Sequence, residues 1–205
     1  MAKETRGVSL DYLADYYDVL TPAERSGFRR KQIDLVGLGE GEKVLEVGCG
    51  TGALSFLSKL DVGETGDVAG IDIAPKMVAR AEEKARKANL EIAFKVASID
   101  EMPHPDQHFD VVISSLMFHH LPLEVKRTGL EEVRRVLKDD GRFFLCDFCS
   151  PHWLTIIPMY LMLVWTSHTR HQLFGKLPEL IRESGFETVR LLEKGLFLEY
   201  YLIGK

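Results

Sequence analysis

The stretch VLEVGCGTG, Val44–Gly52, decides the fold. An apolar run of strand length carries an acid, Glu46, and then places Gly48, Gly50 and Gly52 at every second position. KVLEV (Lys43–Val47), bounded by glycines, reads as a buried strand. TGALSFLSKL behind it carries Leu54, Leu57 and Leu60 at helical spacing. Glycine permits positive φ and removes the Cβ that would hold a ligand away from the backbone. Ligands of open parallel sheets sit beyond the carboxyl ends of the strands. The junction at Gly48–Gly52 is therefore the first candidate binding loop.

Outward from this loop the chain alternates between strand-like and helix-like segments. DVAGID (Asp67–Asp72) reads as a second strand, and Pro75 starts a helix that Asn89 can end. LEIAFKVA and FDVVISS (Phe109–Ser115) read as strands three and four, LEEVRRVLKDDG as an amphipathic helix stopped by Gly141, and RFFLCDF as strand five. Such alternation predicts an α/β, doubly wound parallel sheet with helices on both faces. ETVRLLEK and GLFLEYYLIGK meet at Glu193-Lys194-Gly195, a hairpin signal that makes this end of the sheet antiparallel. The expectation is one domain over residues 1–205, with a helical cap over 1–40 and an acceptor-site insertion over 150–178. RSGFRRKQ (Arg25–Gln32) in the cap reads as a solvated, locally basic helix face.

Composition narrows the class. Lys and Arg total 26 against 31 Asp and Glu, a formal net charge of -5, which argues against a general nucleic-acid binder. Three cysteines, Cys49, Cys146 and Cys149, make no disulfide framework. The opening MAKETRGVSLDYLADYYDVL lacks the apolar core of a secretory signal, so the reading is a reduced, cytoplasmic protein. The longest apolar stretch, Trp153–Trp165, has 13 residues and contains Pro158, too short for a span of about 20.

Asp72 follows Gly52 by 20 residues and ends the second strand, a spacing that suits a carboxylate accepting hydrogen bonds from two ribose hydroxyls. Two cofactors compete. A dinucleotide site uses G-x-G-x-x-G with the pyrophosphate on a helix N-terminus. Here the loop is G-x-G-x-G, and Glu46 would repel a pyrophosphate while attracting the ammonium of a methionine moiety. That charge favours S-adenosylmethionine over NAD.

With these motifs together, the chain resembles the class I S-adenosylmethionine-dependent methyltransferases, in particular the small-molecule group that includes quinone-biosynthesis enzymes. VLEVGCGTG resembles their first motif, and GIDIAPKMVARA their second, with Asp72 as the ribose acid. MPHPDQHFDVVISSLMFHHL and EEVRRVLKDDGRFFLCDF resemble the regions of strands four and five, and LIRESGFETVRLLEKG the terminal helix and strand six. The resemblance covers about Tyr12 to Lys205. It implies a Rossmann-like seven-stranded sheet of order 3-2-1-4-5-7-6 with strand seven antiparallel. It implies S-adenosyl-L-methionine as cofactor, held by Glu46, Gly48, Cys49, Gly50 and Gly52 on the methionine side. Ile73 and Met77 would lie toward the adenine, with Ser98 and Ile99 at its edge and Ser114 at the end of strand four. One departure stands out: Ser98 holds the position where the family often carries an adenine-binding Asp, in Ser98-Ile99-Asp100-Glu101-Met102-Pro103.

The methyl acceptor should lie above strands four and five. His119 and His120 in SSLMFHHL are the candidate base or acceptor-orienting groups, since histidine titrates in the useful range. HH alone has no metal-ligand spacing, so no metal is expected. Cys146 and Cys149 read as buried thiols. Asp147 reads either as an acceptor-site group or as a cap. Trp153, Met159, Tyr160 and Met162 form either an acceptor wall or an ordinary core helix, and Tyr16 and Tyr17 cover the cofactor as in relatives. The expected partner is a small, apolar acceptor, with no nucleic acid and no membrane span. The rival readings are a non-catalytic binding or assembly module of the same fold, a methyltransferase acting on protein or RNA, and an NAD-dependent enzyme.

Overall fold

The computed structural model describes residues 27–148, 176–195 and 198–205. In chain order the elements are α1 Phe28–Val36, β1 Lys43–Val47, α2 Ala53–Val62, β2 Asp67–Asp72, α3 Pro75–Ala88, β3 Ala93–Val96, β4 Phe109–Ser115, a 3₁₀ turn Phe118–His120, α4 Leu123–Val136, β5 Leu137–Phe148, α5 Leu177–Glu183, β6 Thr188–Lys194 and β7 Leu198–Gly204. The seven strands form one sheet of order β3-β2-β1-β4-β5-β7-β6. β1 to β5 run parallel, and β7 runs antiparallel to both β5 and β6. The expected order and the antiparallel hairpin are both found.

Alternation along the central strands sorts side chains onto two faces. Leu45, Val47, Val112, Phe143 and Leu145 pack with α4 and α5. Val44, Val111, Ile113, Phe144 and Cys146 pack with α1 and α2. By the same alternation Glu46 faces the α1 and α2 side and Asp147 the α4 side. That parity places the two buried carboxylates described below.

Three local readings are corrected. The fourth helix ends at Val136 rather than Gly141: Leu137 has ψ 140° and pairs with Phe109, and Lys138 reaches Asp110 at 2.6 Å. Gly141 serves a close approach instead, where a Cβ would stand 3.0 Å from the Lys138 carbonyl oxygen and 3.1 Å from that of Asp110. β3 is only Ala93–Val96. In α2, Leu60 is 64% exposed, whereas Leu54, Ser55, Ser58 and Val62 are buried. Two small hydroxyl residues occupy the inner face there, and one of them serves Glu46.

The sheet leaves no room at Gly70 in β2. A Cβ there would lie 2.7 Å from two ring carbons of Phe94 and 3.0 Å from the Cβ of Cys49. We predict that Gly70→Ala destabilises the protein by about 1–3 kcal/mol, the usual cost of overpacking. Urea unfolding of the two proteins checks it; equal midpoints would show that Phe94 yields freely.

Candidate active site

The glycine loop is pinned to the end of β2. Gly48 and Cys49 both donate backbone N–H bonds to the Ile71 carbonyl, at 2.8 and 3.0 Å. Gly50 N–H donates to Asp72 Oδ2 at 2.8 Å, and Ala74 N–H donates to Asp72 Oδ1 at 2.9 Å. Gly48, Gly50 and Gly52 have φ of 75°, 50° and 83°. A Cβ on Gly48 would sit 2.4 Å from Met117 Cγ, so this glycine is required for Met117 to close over the loop.

Beyond the loop opens a cavity. Its walls include Gly48, Gly50, Asp72, Ile73, Met77, Ser98, Ile99 and His120, all expected from the sequence, together with Ser115, Leu116 and Met117, which were not. The Ser98 hydroxyl donates to Asp100, which brings the missing acid alongside Ser98. Ser114 is fully buried and is not part of this wall; its neighbour Ser115 is. Leu116 explains the exchange. It has φ 52° and donates its N–H to the Cys146 carbonyl at 2.9 Å, turning the chain sharply at the end of β4. A leucine in the left-handed region costs about 1–2 kcal/mol, and nothing in residue type or spacing announces it.

Glu46 does not reach the main cavity. It walls an adjoining recess with Phe28, Arg29, Cys49 and Leu54, and this recess shares Gly48, Gly50, Ser115 and Leu116 with the cavity. Its Oε2 accepts the Ser55 backbone N–H at 2.7 Å and the Ser55 hydroxyl. Ser55 is the third residue of α2, so this carboxylate occupies the helix N-terminus that a dinucleotide pyrophosphate would need. Burial pushes the Glu46 carboxyl up to about 7. Cys49 is a buried thiol pushed well above its ordinary value by the same cause. Gly52 packs against the protein rather than the cavity; a Cβ there would be 2.8 Å from the Phe94 ring.

The two histidines part company. His120 lines the cavity. His119 is buried behind it, with ring centroids 3.8 Å apart. Asp147, 1% exposed, accepts the His119 backbone N–H at 3.0 Å and contacts the His119 ring Nδ1 at 2.8 Å; it also accepts the Phe148 N–H at 2.7 Å. An ionised carboxylate only accepts, so Nδ1 carries the proton in this pair. Of the two readings left open for Asp147, its strand parity and contacts match the cap-like one: it anchors the histidine turn and is not among the cavity's lining residues. Burial alone would raise the Asp147 carboxyl, but the adjacent His119 ring and the hydrogen bonds outweigh burial and hold it below the usual range. Burial, with help from His119 and Lys126, lowers His120 to about 4, so this imidazole is neutral at pH 7. Lys126 on α4 is itself lowered by burial to about 8, and Asp147 opposes that fall. Tyr16, Tyr17, Trp153 and Tyr160 lie outside the described residues. Among the described residues no group of three or more His, Cys, Asp or Glu could hold a metal ion, and no helix is long and apolar enough to cross a membrane.

A largely parallel sheet with a glycine loop, an acid ending β2 and a cavity at its carboxyl end is the arrangement of an α/β protein whose site lies at the strand ends. Residues 38–188 match the model of a methyltransferase domain family. The chain belongs to this family. It is 27% identical over 210 residues to a demethylmenaquinone methyltransferase of Lactobacillus johnsonii, covering 90% of the chain and 85% of that protein. It is 32% identical over 152 residues to a ubiquinone/menaquinone biosynthesis C-methyltransferase of Laribacter hongkongensis, where it covers 72% of the chain and spans 61% of the relative. The fold superposes on a SAM-dependent methyltransferase from Aquifex aeolicus with TM-score 0.75 and 25% identity, over 94% of the chain and 97% of that structure. The chain is a class I, small-molecule S-adenosylmethionine-dependent methyltransferase.

Because Asp147 has a depressed carboxyl, it contributes stability above the ordinary carboxylate pKa of about 4, and this is lost as pH falls through the folded value. We predict that Asp147→Ala costs about 1–3 kcal/mol at pH 7. The gap between variant and wild type should narrow below pH 4. Chemical unfolding at pH 7 and pH 3 checks it; a gap that is constant with pH would rule out the ionised carboxylate as its source.

Proposed function

We propose that this methyltransferase places its cofactor with the ribose on Asp72, the adenine between Ile73, Met77 and Ile99, and the sulfonium end toward Ser115 and Met117. The observation that carries this reading is the Glu46–Ser55 contact, which closes the helix N-terminus to a pyrophosphate. The residues present also suit the group: an acid stands at the mouth, apolar side chains line the wall, and the loop glycines leave no Cβ between backbone and ligand. S-adenosylmethionine, when bound, supplies a methyl on a sulfonium that already carries its leaving group. The protein's task is then alignment and exclusion of water.

His120 is the cavity group that takes a hydrogen bond from the acceptor's O–H or N–H and receives its proton. It is neutral at pH 7, with its lone pair available. His119, clamped on Asp147, is a positioning residue that stacks on His120 and fixes its orientation. The acceptor proposed is a small, largely apolar molecule with an ionisable hydroxyl, quinol-like as the names of the two quinone relatives suggest. The four residues Tyr16, Tyr17, Trp153 and Tyr160 remain proposed parts of its pocket, and a cytoplasmic setting fits an enzyme with unpaired thiols at Cys49 and Cys146.

Calorimetric titration with S-adenosylhomocysteine and with NAD tests the cofactor. Binding of the first and none of the second is expected, and the reverse would overturn the reading. Asp72→Ala should weaken S-adenosylhomocysteine by about 1–3 kcal/mol; unchanged affinity would remove the ribose assignment. On an accepted substrate, His120→Ala should lower kcat by at least tenfold, toward the 10²–10⁴ typical of positioned proton transfer, with cofactor affinity unaltered. A proton acceptor with a pKa of about 4 works in its neutral form, so kcat should be flat with respect to this group from pH 6 to 8 and fall only as pH approaches 4. A loss of rate centred near pH 6.5 would assign the base elsewhere.

A further inference from the structure

Resting on the reading above that the adenine lies against Ile99, we infer that Gly129, a residue of α4 outside the cavity wall, is a positioning residue for the cofactor. Its missing Cβ lets the Ile99 side chain stand back, and this sets the width of the adenine slot. α4 turns Lys126, Gly129, Leu130, Val133 and Val136 inward. Glycine in a helix interior is less favourable than alanine. Gly129 neither ends the helix nor has a positive φ, so backbone conformation gives no reason for it. Space gives one. A Cβ on Gly129 would stand 2.9 Å from Ile99 Cγ1 and 3.1 Å from both Cδ1 and Cγ2. The three nearest atoms all belong to this one side chain, which is 3% exposed and walls the cavity.

What would yield to an added methyl depends on how the turn carrying Ile99 is fastened. At one end the Ala97 N–H donates to the Asp72 carbonyl at 3.0 Å, which ties the turn to the end of β2. Within it the Glu101 N–H donates to the Ser98 carbonyl at 3.2 Å. At the other end the Met102 N–H donates to Glu132 Oε2 at 2.9 Å, and Arg135 Nη2 donates to the Met102 carbonyl at 3.2 Å. Glu132 and Arg135 stand on α4, within two turns of Gly129. The backbone of the turn therefore cannot back away from the helix without breaking these bonds, and the side chain of Ile99 must take up the displacement. It shares a buried cluster with Phe109, Leu130 and Val133, where close packing leaves no room. A β-branched side chain also has few rotamers to turn into. The free direction is the cavity. A change on a helix that does not line the cavity is thus delivered to the adenine wall.

The test adds the methyl with and without Ile99 to meet it, and reads affinity by calorimetry. Gly129→Ala should weaken S-adenosylhomocysteine by about fivefold or more, the scale of one overpacked methyl. It should weaken 5′-methylthioadenosine by the same factor, because both ligands carry the adenosine. Ile99→Val keeps Cγ1 and Cγ2, so adding Gly129→Ala to it should still cost about threefold or more. Ile99→Ala removes both atoms, and in that background Gly129→Ala should change affinity by about twofold at most, as the coupling of two touching residues requires. On an accepted substrate, Gly129→Ala should raise KM for S-adenosylmethionine and leave kcat at saturating cofactor unchanged, since the loss is of binding away from the transferred methyl. Gly141→Ala is also crowded, with a Cβ 3.0 Å from the Lys138 carbonyl oxygen, but lies at the opposite end of β5 from the cavity. It should lower the urea midpoint and leave both affinities unchanged, which separates loss of stability from loss of fit. Should Gly129→Ala not fold, the pair of proteins built on Ile99→Val decides. Wild-type affinity in Gly129→Ala, or an equal loss in the Ile99→Ala background, overturns the inference while the cofactor reading stands. Failure of the wild-type protein to bind either nucleoside overturns that reading and the inference with it.

Discussion

Asp72 holds the two halves of the binding edge in one piece. Through one oxygen it ties the glycine loop after β1, and through the other the entry to α3 after β2. Together with the two bonds from Gly48 and Cys49 to the Ile71 carbonyl, this makes the loop an extension of the sheet. A ligand that used the same carboxylate would meet a backbone already in place, so little ordering entropy remains to be lost on binding. The cavity walls inherit that rigidity, since Ile73 follows Asp72 directly and Met77 lies one turn into α3.

Strand parity then distributes charge between the two faces of the sheet. Glu46 in β1 falls toward α1 and α2, and finds Ser55 and Arg29. Asp147 in β5 falls toward α4, and finds His119, with Lys126 in its field. Each buried carboxylate has donors, as burial requires. Their environments drive them apart: Glu46 toward protonation at neutral pH, Asp147 firmly toward ionisation. One is bonded to the start of α2 through Ser55, and the other fixes a histidine turn.

Much of this was legible in the residues, for stated reasons. Short apolar runs marked β1, β2 and β4, the first of them ending at glycine. Pro75 and Asn89 bracketed α3, which runs Pro75–Ala88 with Asn89 at φ 52°. The β6–β7 hairpin was visible in its turn, while its insertion beside β5 followed from the family resemblance rather than from pattern. What was not legible depends on long-range contact. Gly141 looked like a helix stop because a glycine after Lys and Asp commonly is one, yet Phe109 captured Leu137 first. Asp147 could be read either as an acceptor-site acid or as a cap because it stands near a strand's carboxyl end, where parity decides between cavity and core. Arg29 looked solvated within a basic run, yet it is half-buried and walls the recess that Glu46 also lines. Ser115 replaced Ser114 in the wall because Leu116 adopts a conformation that its side chain disfavours.

The position of β7 has a consequence for the order in which the sheet can be completed. β5 ends at Phe148, and its neighbour begins at Leu198. During synthesis, β5 and its run Phe143–Phe144–Leu145 emerge with one edge unpaired while residues 149–197 are still to be made. A strand of this composition with a bare edge is prone to pair with another chain. The nascent protein therefore passes through an interval in which β5 has β4 on one side and lacks β7 on the other, and its Phe143–Phe144–Leu145 run is then held only from the inner side of the sheet.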